Sequence, residues 1–210
     1  MKIKQFLDII KKIHTKIGDN NEMKEIVFVT HNTGKIASAQ RYLKKVNLIP
    51  YKYELNEPRI EDIKEIATAK VKEAYDIVKK PCIAQDTGFY IESLKGFPKT
   101  YVNFALETIG LDGILKLMEN KENRKCSFKE CLAYYDGKEI KYFYGIHEGT
   151  ISEKIAGKER SRKWSDLWYI FKLKNFEMTL AEIEDEERDK ILETDGSISA
   201  IKLFAEWYEK

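Results

Sequence analysis

With 210 residues, the chain has room for one large domain or two small ones and for a substantial core. Charged residues supply 34% of it, and 37 Lys and Arg against 35 Asp and Glu leave a net charge of +2. That is far from the positive field a duplex-binding protein needs, so nucleic acid is not the expected partner. No apolar run approaches the ~20 residues that span a bilayer, so no membrane partner is expected either. No signal-peptide core opens the chain, and three sparse cysteines (Cys82, Cys126, Cys131) without metal-ligand spacing suit the reduced cytoplasm.

Residues 1–24 carry Ile3, Phe6, Ile10, Ile13 and Ile17 at three- and four-residue steps with lysines between them. This predicts an amphipathic helix, broken at Gly18 to Asn21, appended to a single two-lobed domain over 25–210. Its apolar face is expected at a dimer interface or a cleft edge. From Ile26 strand and helix signals alternate, as in an α/β layer fold. Ile26 to Thr30 reads as a buried strand, and Ile36, Ala39, Leu43 and Val46 mark one face of a helix. Pro50 then introduces an extended run, Tyr51 to Leu55. A long helix follows over Glu61 to Val78, with Lys70 out of place on its apolar stripe. Cys82 to Ala84 reads as a strand ending in Gln85-Asp86-Thr87-Gly88, and Phe89 to Leu94 extends again. Two short helices are predicted over 100–109 and 111–119. Asp136-Gly137 between β-rich runs signals a hairpin, and Gly145 with Gly149 reads as a second turn. Leu167 to Phe171 reads as an aromatic strand, Thr179 with Glu182 as a capping box opening a helix, and Ser197 to Tyr208 as the last helix.

Chemistry concentrates in a few places. Thr30-His31-Asn32-Thr33-Gly34-Lys35 joins a strand to a helix, where helix N-terminal N–H groups, a glycine and a lysine make an anion-binding loop. Val29 stands where a Walker A loop has its first glycine, and an ordinary turn with a surface lysine is the other reading. Lys70 either snorkels or meets an anion. Glu57 and Asp86 sit where α/β folds place ligands; they either cap turns or hold a hard cation such as Mg²⁺. Two lysines and two carboxylates on neighbouring strand ends suit phosphoryl chemistry.

These motifs, in this order, resemble the inosine triphosphate pyrophosphatase family, whose members hydrolyse non-standard purine nucleoside triphosphates to monophosphate and pyrophosphate. Thr30 to Lys35 resembles the family's [ST]-x-N-x-x-K loop, Asn56-Glu57-Pro58 its glutamate segment, and Ile66 to Lys70 its helical lysine. Gln85-Asp86-Thr87-Gly88 and Leu94 to Tyr101 resemble its E-D-[ST]-G-L and L-x-G-x-P-G-x-Y signatures. The resemblance continues through Phe143-Tyr144-Gly145, Gly149-Thr150-Ile151 and Thr179 to Glu182, covering about residues 26–205. It implies an elongated α/β fold with a mixed β-sheet, flanking helices and two lobes around a central cleft, together with Mg²⁺ dependence and a homodimer. Carried over, Thr30, Asn32, Lys35 and Lys70 would bind the triphosphate, with Thr87 and Gly88 shaping the same site. Glu57, Asp86 and Gln85 would hold the metal, and Asp86 would orient or deprotonate the attacking water.

The chain departs from the pattern at several points. Gln85 replaces an acid, and Lys99 replaces the glycine after the family's proline. The aromatic base-stacking segment becomes Lys163 to Tyr169, with Asp166 as its aspartate and Trp164 either stacking on a purine or packing in the core. The S-H-R triplet that reads the purine 6-oxo group is missing, with Glu193 to Ser197 in its place. Asp195 there would favour an amino-bearing base. His31 and His147 are the only histidines of this region, and neither stands at the missing position. Two other readings are a catalytically weak nucleotide-binding sensor and a pyrophosphatase of the Maf type.

Overall fold

The computed structural model describes residues 23–194 and 196–210; the helix expected over the first residues, and Asp195, lie outside the described residues. A mixed seven-stranded sheet forms the backbone of the fold. Its strands are β1 (Glu25–Val29), β2 (Asn47–Tyr51), β3 (Cys82–Ile91), β4 (Pro98–Lys99), β5 (Lys125–Tyr135), β6 (Ile140–Ile151) and β7 (Phe171–Leu173). The order is β2-β1-β3-β5-β6-β7, with β4 pairing β3. β2, β1 and β3 run parallel, whereas β5, β6 and β7 continue antiparallel. The helices are α1 (Thr33–Tyr42), α2 (Ile63–Val78), α3 (Val102–Thr108), α4 (Gly110–Leu117), α5 (Asp185–Thr194) and α6 (Ala200–Tyr208).

Alternation along β1 and β3 splits their side chains between two cores. Ile26, Phe28 and Ile83 pack with Ala39 of α1, with Leu43 at its C-terminal cap and with Phe204 and Ala205 of α6. Val27, Val29, Cys82 and Ala84 face Ala67, Val71 and Ala74 of α2. Asp62 starts α2 by accepting from the N–H groups of Lys64 and Glu65. A third core, at the far end of the sheet, gathers Phe89, Phe128 and Phe171 with Val102 of α3 and Ile114 of α4. The three cores make the two ends of an elongated α/β fold with a cleft between them.

That cleft is an interruption in the sheet. β3 touches β1 only at Cys82 and Ile83, and β4 only at Phe89 and Tyr90. Residues 84–88 therefore have β5 along one edge and no strand along the other.

Several expectations need correcting. Gln85 to Gly88 is the middle of one continuous strand, held in ladder with β5 from Cys82 to Ile91. Gly145 and Gly149 lie inside β6 and make no turn. A Cβ there would come within 2.4 Å of Glu130 Oε2 and 2.0 Å of the Lys172 carbonyl, so they serve close approach. The second strand starts at Asn47 and includes Pro50, which an edge strand tolerates. Leu167 lies in a short 3₁₀ turn, Asp166–Tyr169, and pairing begins only at Phe171. Glu182 does accept from the Thr179 N–H at 2.8 Å, but the box closes a turn and α5 begins at Asp185. Leu180, Ala181 and Ile183 are all buried, and one side of a surface helix cannot bury such close neighbours.

Candidate active site

The interruption opens into a cleft. Its lining includes Thr30, Asn32, Lys35, Glu57, Lys70, Gln85, Asp86, Thr87 and Trp164, nine residues expected at the site from sequence. At its centre, Lys70 Nζ from α2 donates to Glu57 Oε1 at 2.7 Å and to Asp86 Oδ1 at 3.2 Å. Lys70 is buried but does not snorkel; its charge is met in place. Burial opposes the ammonium, yet Asp86 and Glu57 outweigh it and raise the Lys70 pKa. Burial likewise opposes the Glu57 carboxylate, and the Lys70 charge holds its pKa below the ordinary value.

Lys35 sits differently. Its Nζ donates only to the Gln85 carbonyl, at 3.3 Å, and no carboxylate stands within ion-pair distance among the described residues. The Gln85 carbonyl lies on the β3 edge that β1 does not cover. Burial, then the neighbouring Lys70 charge, pushes the Lys35 pKa down. A cation so placed is short of a negative partner. Thr87 adds a buried hydroxyl with no hydrogen-bond partner.

Asn32 holds the loop together. Its Oδ1 accepts from the Lys35 N–H at 3.0 Å as the cap of α1, while its Nδ2 donates to the Trp164 carbonyl at 3.0 Å. Thr30 Oγ1 accepts from the Asn32 N–H. Gly34 lets the 163–164 loop approach, since a Cβ there would lie 2.4 Å from the Lys163 carbonyl oxygen. Gly88 does the same for β4, with the Lys99 carbonyl oxygen 2.9 Å from where its Cβ would be. The pleat of β3 turns the Gln85 side chain to the face opposite Asp86, away from the carboxylate pair. Asp166 stands outside the cleft, half in water, where it accepts from Lys163 Nζ at 2.6 Å. Lys99 has a positive φ of 58°, so the lysine occupies the left-handed backbone its glycine-like position demands.

A second cavity adjoins the first, and Phe128 and Trp164 line both. Their rings meet edge-on at 4.6 Å, and Trp164 also meets Trp168 at 5.5 Å. Glu130, His147, Arg188, Arg41 and Arg162 line this cavity and were not expected there from sequence. Counting outward from the Asp136-Gly137 hairpin would have found the first two: Glu130 pairs with Gly145 and Phe128 with His147, so Glu130 and His147 share a face as diagonal neighbours.

Among the described residues no group of three or more His, Cys, Asp or Glu converges as a metal cage. Glu57 and Asp86 are a two-carboxylate, all-oxygen set, and such a set fits Mg²⁺ when substrate phosphates and water complete the shell. No helix among the described residues is long and apolar enough to cross a membrane.

The family model for the Ham1 family matches residues 26–204. A dITP/XTP pyrophosphatase of Thermococcus kodakarensis is 34% identical over 187 residues, spanning 88% of this chain and 97% of that protein. One from Pyrococcus horikoshii is 34% identical over 188 residues, spanning 87% and 96%. A solved HAM1 protein from Coxiella burnetii superposes with a TM-score of 0.74 at 21% identity, over 89% of this chain and 99% of that one. The Staphylococcus aureus Ham1 protein superposes with a TM-score of 0.71 at 23% identity, over 89% and 98%.

Proposed function

This chain belongs to the Ham1 family, and on that premise we propose that it is a nucleoside triphosphate pyrophosphatase that cleaves a non-standard purine nucleoside triphosphate to monophosphate and pyrophosphate. The observation that carries the reading is Lys35, a buried-side ammonium with only a carbonyl for a partner, facing a cleft whose other cation is already neutralised. A polyphosphate supplies the missing charge. The loop before α1 adds backbone N–H groups at a helix N-terminus, and Thr87 adds an unpartnered hydroxyl.

In the reaction, a water oxygen attacks the α-phosphorus while the bond from that phosphorus to the bridging oxygen breaks, and pyrophosphate leaves. Asp86 takes the water's proton. Lys70 occupies its Oδ1, which fixes the carboxylate and leaves Oδ2, with no protein hydrogen bond among the described residues, to face the cleft. Lys35 stabilises the charge that develops on the departing oxygens. Glu57 and Asp86 would hold Mg²⁺, which when bound neutralises phosphate charge. Asn32 acts through position, tying the anion loop to the segment that carries Trp164. Mg²⁺ dependence and assembly as a homodimer belong to the same reading.

The test is release of pyrophosphate versus orthophosphate from a panel of standard and modified nucleoside triphosphates with Mg²⁺, with Asp86→Asn as control. Pyrophosphate from a restricted subset, lost in the variant, is the expected result. Release of orthophosphate alone, or of nothing, overturns the reading.

A further inference from the structure

The chain enters the described fold against the last turn of α6. Lys24 Nζ donates to the Tyr208 carbonyl at 3.0 Å and lies over the Tyr208 ring, while the Tyr208 hydroxyl donates to the Glu25 carbonyl at 2.9 Å. Residues 1–22 precede this junction, outside the described residues, and the family match begins only at residue 26, so the shared fold does not account for them. Their sequence carries Ile3, Phe6, Ile10, Ile13 and Ile17 at alternating three- and four-residue steps, the narrow seam with which one helix lies along another. At about this length an isolated helix is marginal in water, so the seam calls for a surface that receives it.

α6 offers that surface. Its Phe204 and Ala205 face the core, but Leu203 is 37% exposed and Trp207, one turn on, is only partly buried. Phe143 of β6 extends the strip, its ring 5.5 Å from that of Trp207, and Lys141 lies over the same indole at 5.2 Å. The sheet is incomplete at the same place. β7 pairs β6 only from Gly149 to Ile151, and Ile198 bridges Ile146, so Ile140 to Gly145 have no strand along their outer edge among the described residues. An open edge bordered by apolar side chains is a template for pairing with another chain, and proteins cover such edges with a helix or a loop. β2, the opposite edge, is five residues long and carries Pro50, which blunts it.

Reach selects the same surface. The six steps from Ile17 to Met23 span at most about 21 Å, which holds the end of the seam near Tyr208. Phe104 and Leu117 are also exposed, but they belong to α3 and α4, beyond the about 30 Å that β3 covers from Cys82 to Ile91. As a helix, Ile3 to Ile17 extends about 21 Å, enough to run the length of α6. Glu206, exposed beside Trp207, gives the lysines that flank the seam an acid to meet.

We propose that residues 3–17 form a helix that docks within its own chain on Leu203, Trp207 and Phe143 and closes the open edge of β6. The surface is the chain's own α6, in place of the cleft edge or dimer interface expected from the sequence. The contact uses no residue of the cleft, so it stands apart from the hydrolase reading.

Hydrogen exchange on the full chain tests it, comparing the wild type with Ile10→Asp at the centre of the seam, Leu203→Asp on the receiving surface and Lys12→Ala opposite the seam. The expected result is exchange over residues 3–17 at least tenfold slower than in an unstructured chain for the wild type and Lys12→Ala, and unprotected for the other two. Residues 140–145 should exchange faster in Ile10→Asp, where the helix is displaced. A segment unprotected in the wild type overturns the proposal, as does protection that survives Leu203→Asp or is lost in Lys12→Ala. A second measurement fixes the occupant, joining the Ile10→Cys, Leu203→Cys double variant with a short bismaleimide. Cys82, Cys126 and Cys131 are buried, which leaves the introduced pair to react. A link within one chain is expected. A link between two chains assigns the surface to a second copy, and no link puts the segment elsewhere, each overturning the proposal. Protection that appears only with phosphatidylserine vesicles makes the seam a membrane contact and overturns it too. Should Leu203→Asp fail to fold, Ile10→Asp and the linked pair still decide.

Discussion

Replacing Lys70 by Met keeps the length of the side chain and removes its charge. Asp86, 8% exposed at its side chain, would then face Glu57, 47% exposed, with no cation between them. Removing one partner from a fully buried pair costs about 3–5 kcal/mol. Because Glu57 is half in water, the cost here falls to about 2 kcal/mol, which lowers Tm by about 4–8 °C in a chain of this size. The pH dependence follows from the directions of the shifts. Glu57 is held below its ordinary pKa, so its contribution is complete above about pH 4.3, the unfolded value, and fades as pH falls through the lower folded value. Lys70 is held above its ordinary pKa, so its contribution is complete below about pH 10.4 and fades above that. The deficit of the variant is therefore widest between about pH 5 and 9 and closes toward about pH 3. Added Mg²⁺ should narrow it at neutral pH, because the two released carboxylates gain a cation. Scanning calorimetry of both proteins across pH, with and without the metal, reads all of this. A variant as stable as the wild type at neutral pH, or a deficit that persists undiminished in acid, would refute the claim that this ammonium holds the two carboxylates.

The Asp86→Asn variant should fold normally, since Asn still offers Lys70 an oxygen, yet lose about 100-fold or more in pyrophosphate release; a variant within tenfold of wild type removes Asp86 as the base. Gly34→Ala places a Cβ 2.4 Å from the Lys163 carbonyl oxygen, and the displaced loop should cost about 1–3 kcal/mol in denaturant unfolding. The same variant should weaken nucleotide binding, because that loop carries Trp164. At position 99, with φ at 58°, Lys99→Gly should be more stable than Lys99→Ala by about 1 kcal/mol, because both lose the ion pair to Glu61 and only glycine relieves the left-handed backbone.

Local chemistry was legible wherever a short stretch of chain decides its own conformation. The loop from Thr30 to Lys35 is legible as a strand-to-helix junction because strand, cap and helix follow one another within it. Lys70 announced itself by interrupting an apolar stripe, and the structure supplies the carboxylates that make the interruption tolerable. What misled was polarity inside strands. Gln85, Asp86 and Thr87 look like a loop until β5 pairs across them, and Gly145 and Gly149 look like turns until Glu130 and Lys172 press against them. Both depend on contacts between segments distant in sequence. The second cavity was invisible for the same reason, since its polar groups come from α1, β5, β6, α5 and the loop between β6 and β7.

The two cavities follow from one decision in the sheet. Had β1 or β4 extended along β3, the Gln85 carbonyl would bond to a strand, and Asp86 would lie beneath a neighbouring backbone with no approach for water. Because neither strand reaches, residues 84–88 keep the rigidity of a ladder on the β5 side and offer a free edge on the other. Lys35 fills part of that vacancy from α1 and Lys70 from α2, each from a different face of the sheet. A reacting group on such an edge is held by strand geometry and not by a loop, which is what positioning a base against a phosphorus requires. The stability lost at the gap is recovered on either side, in the three aromatic and aliphatic cores. Phe128, in ladder with Phe89 at the end of the gap, then forms the boundary between the charged cleft and the second cavity. A substrate that is polyanionic at one end and planar at the other is what this division of the sheet can hold.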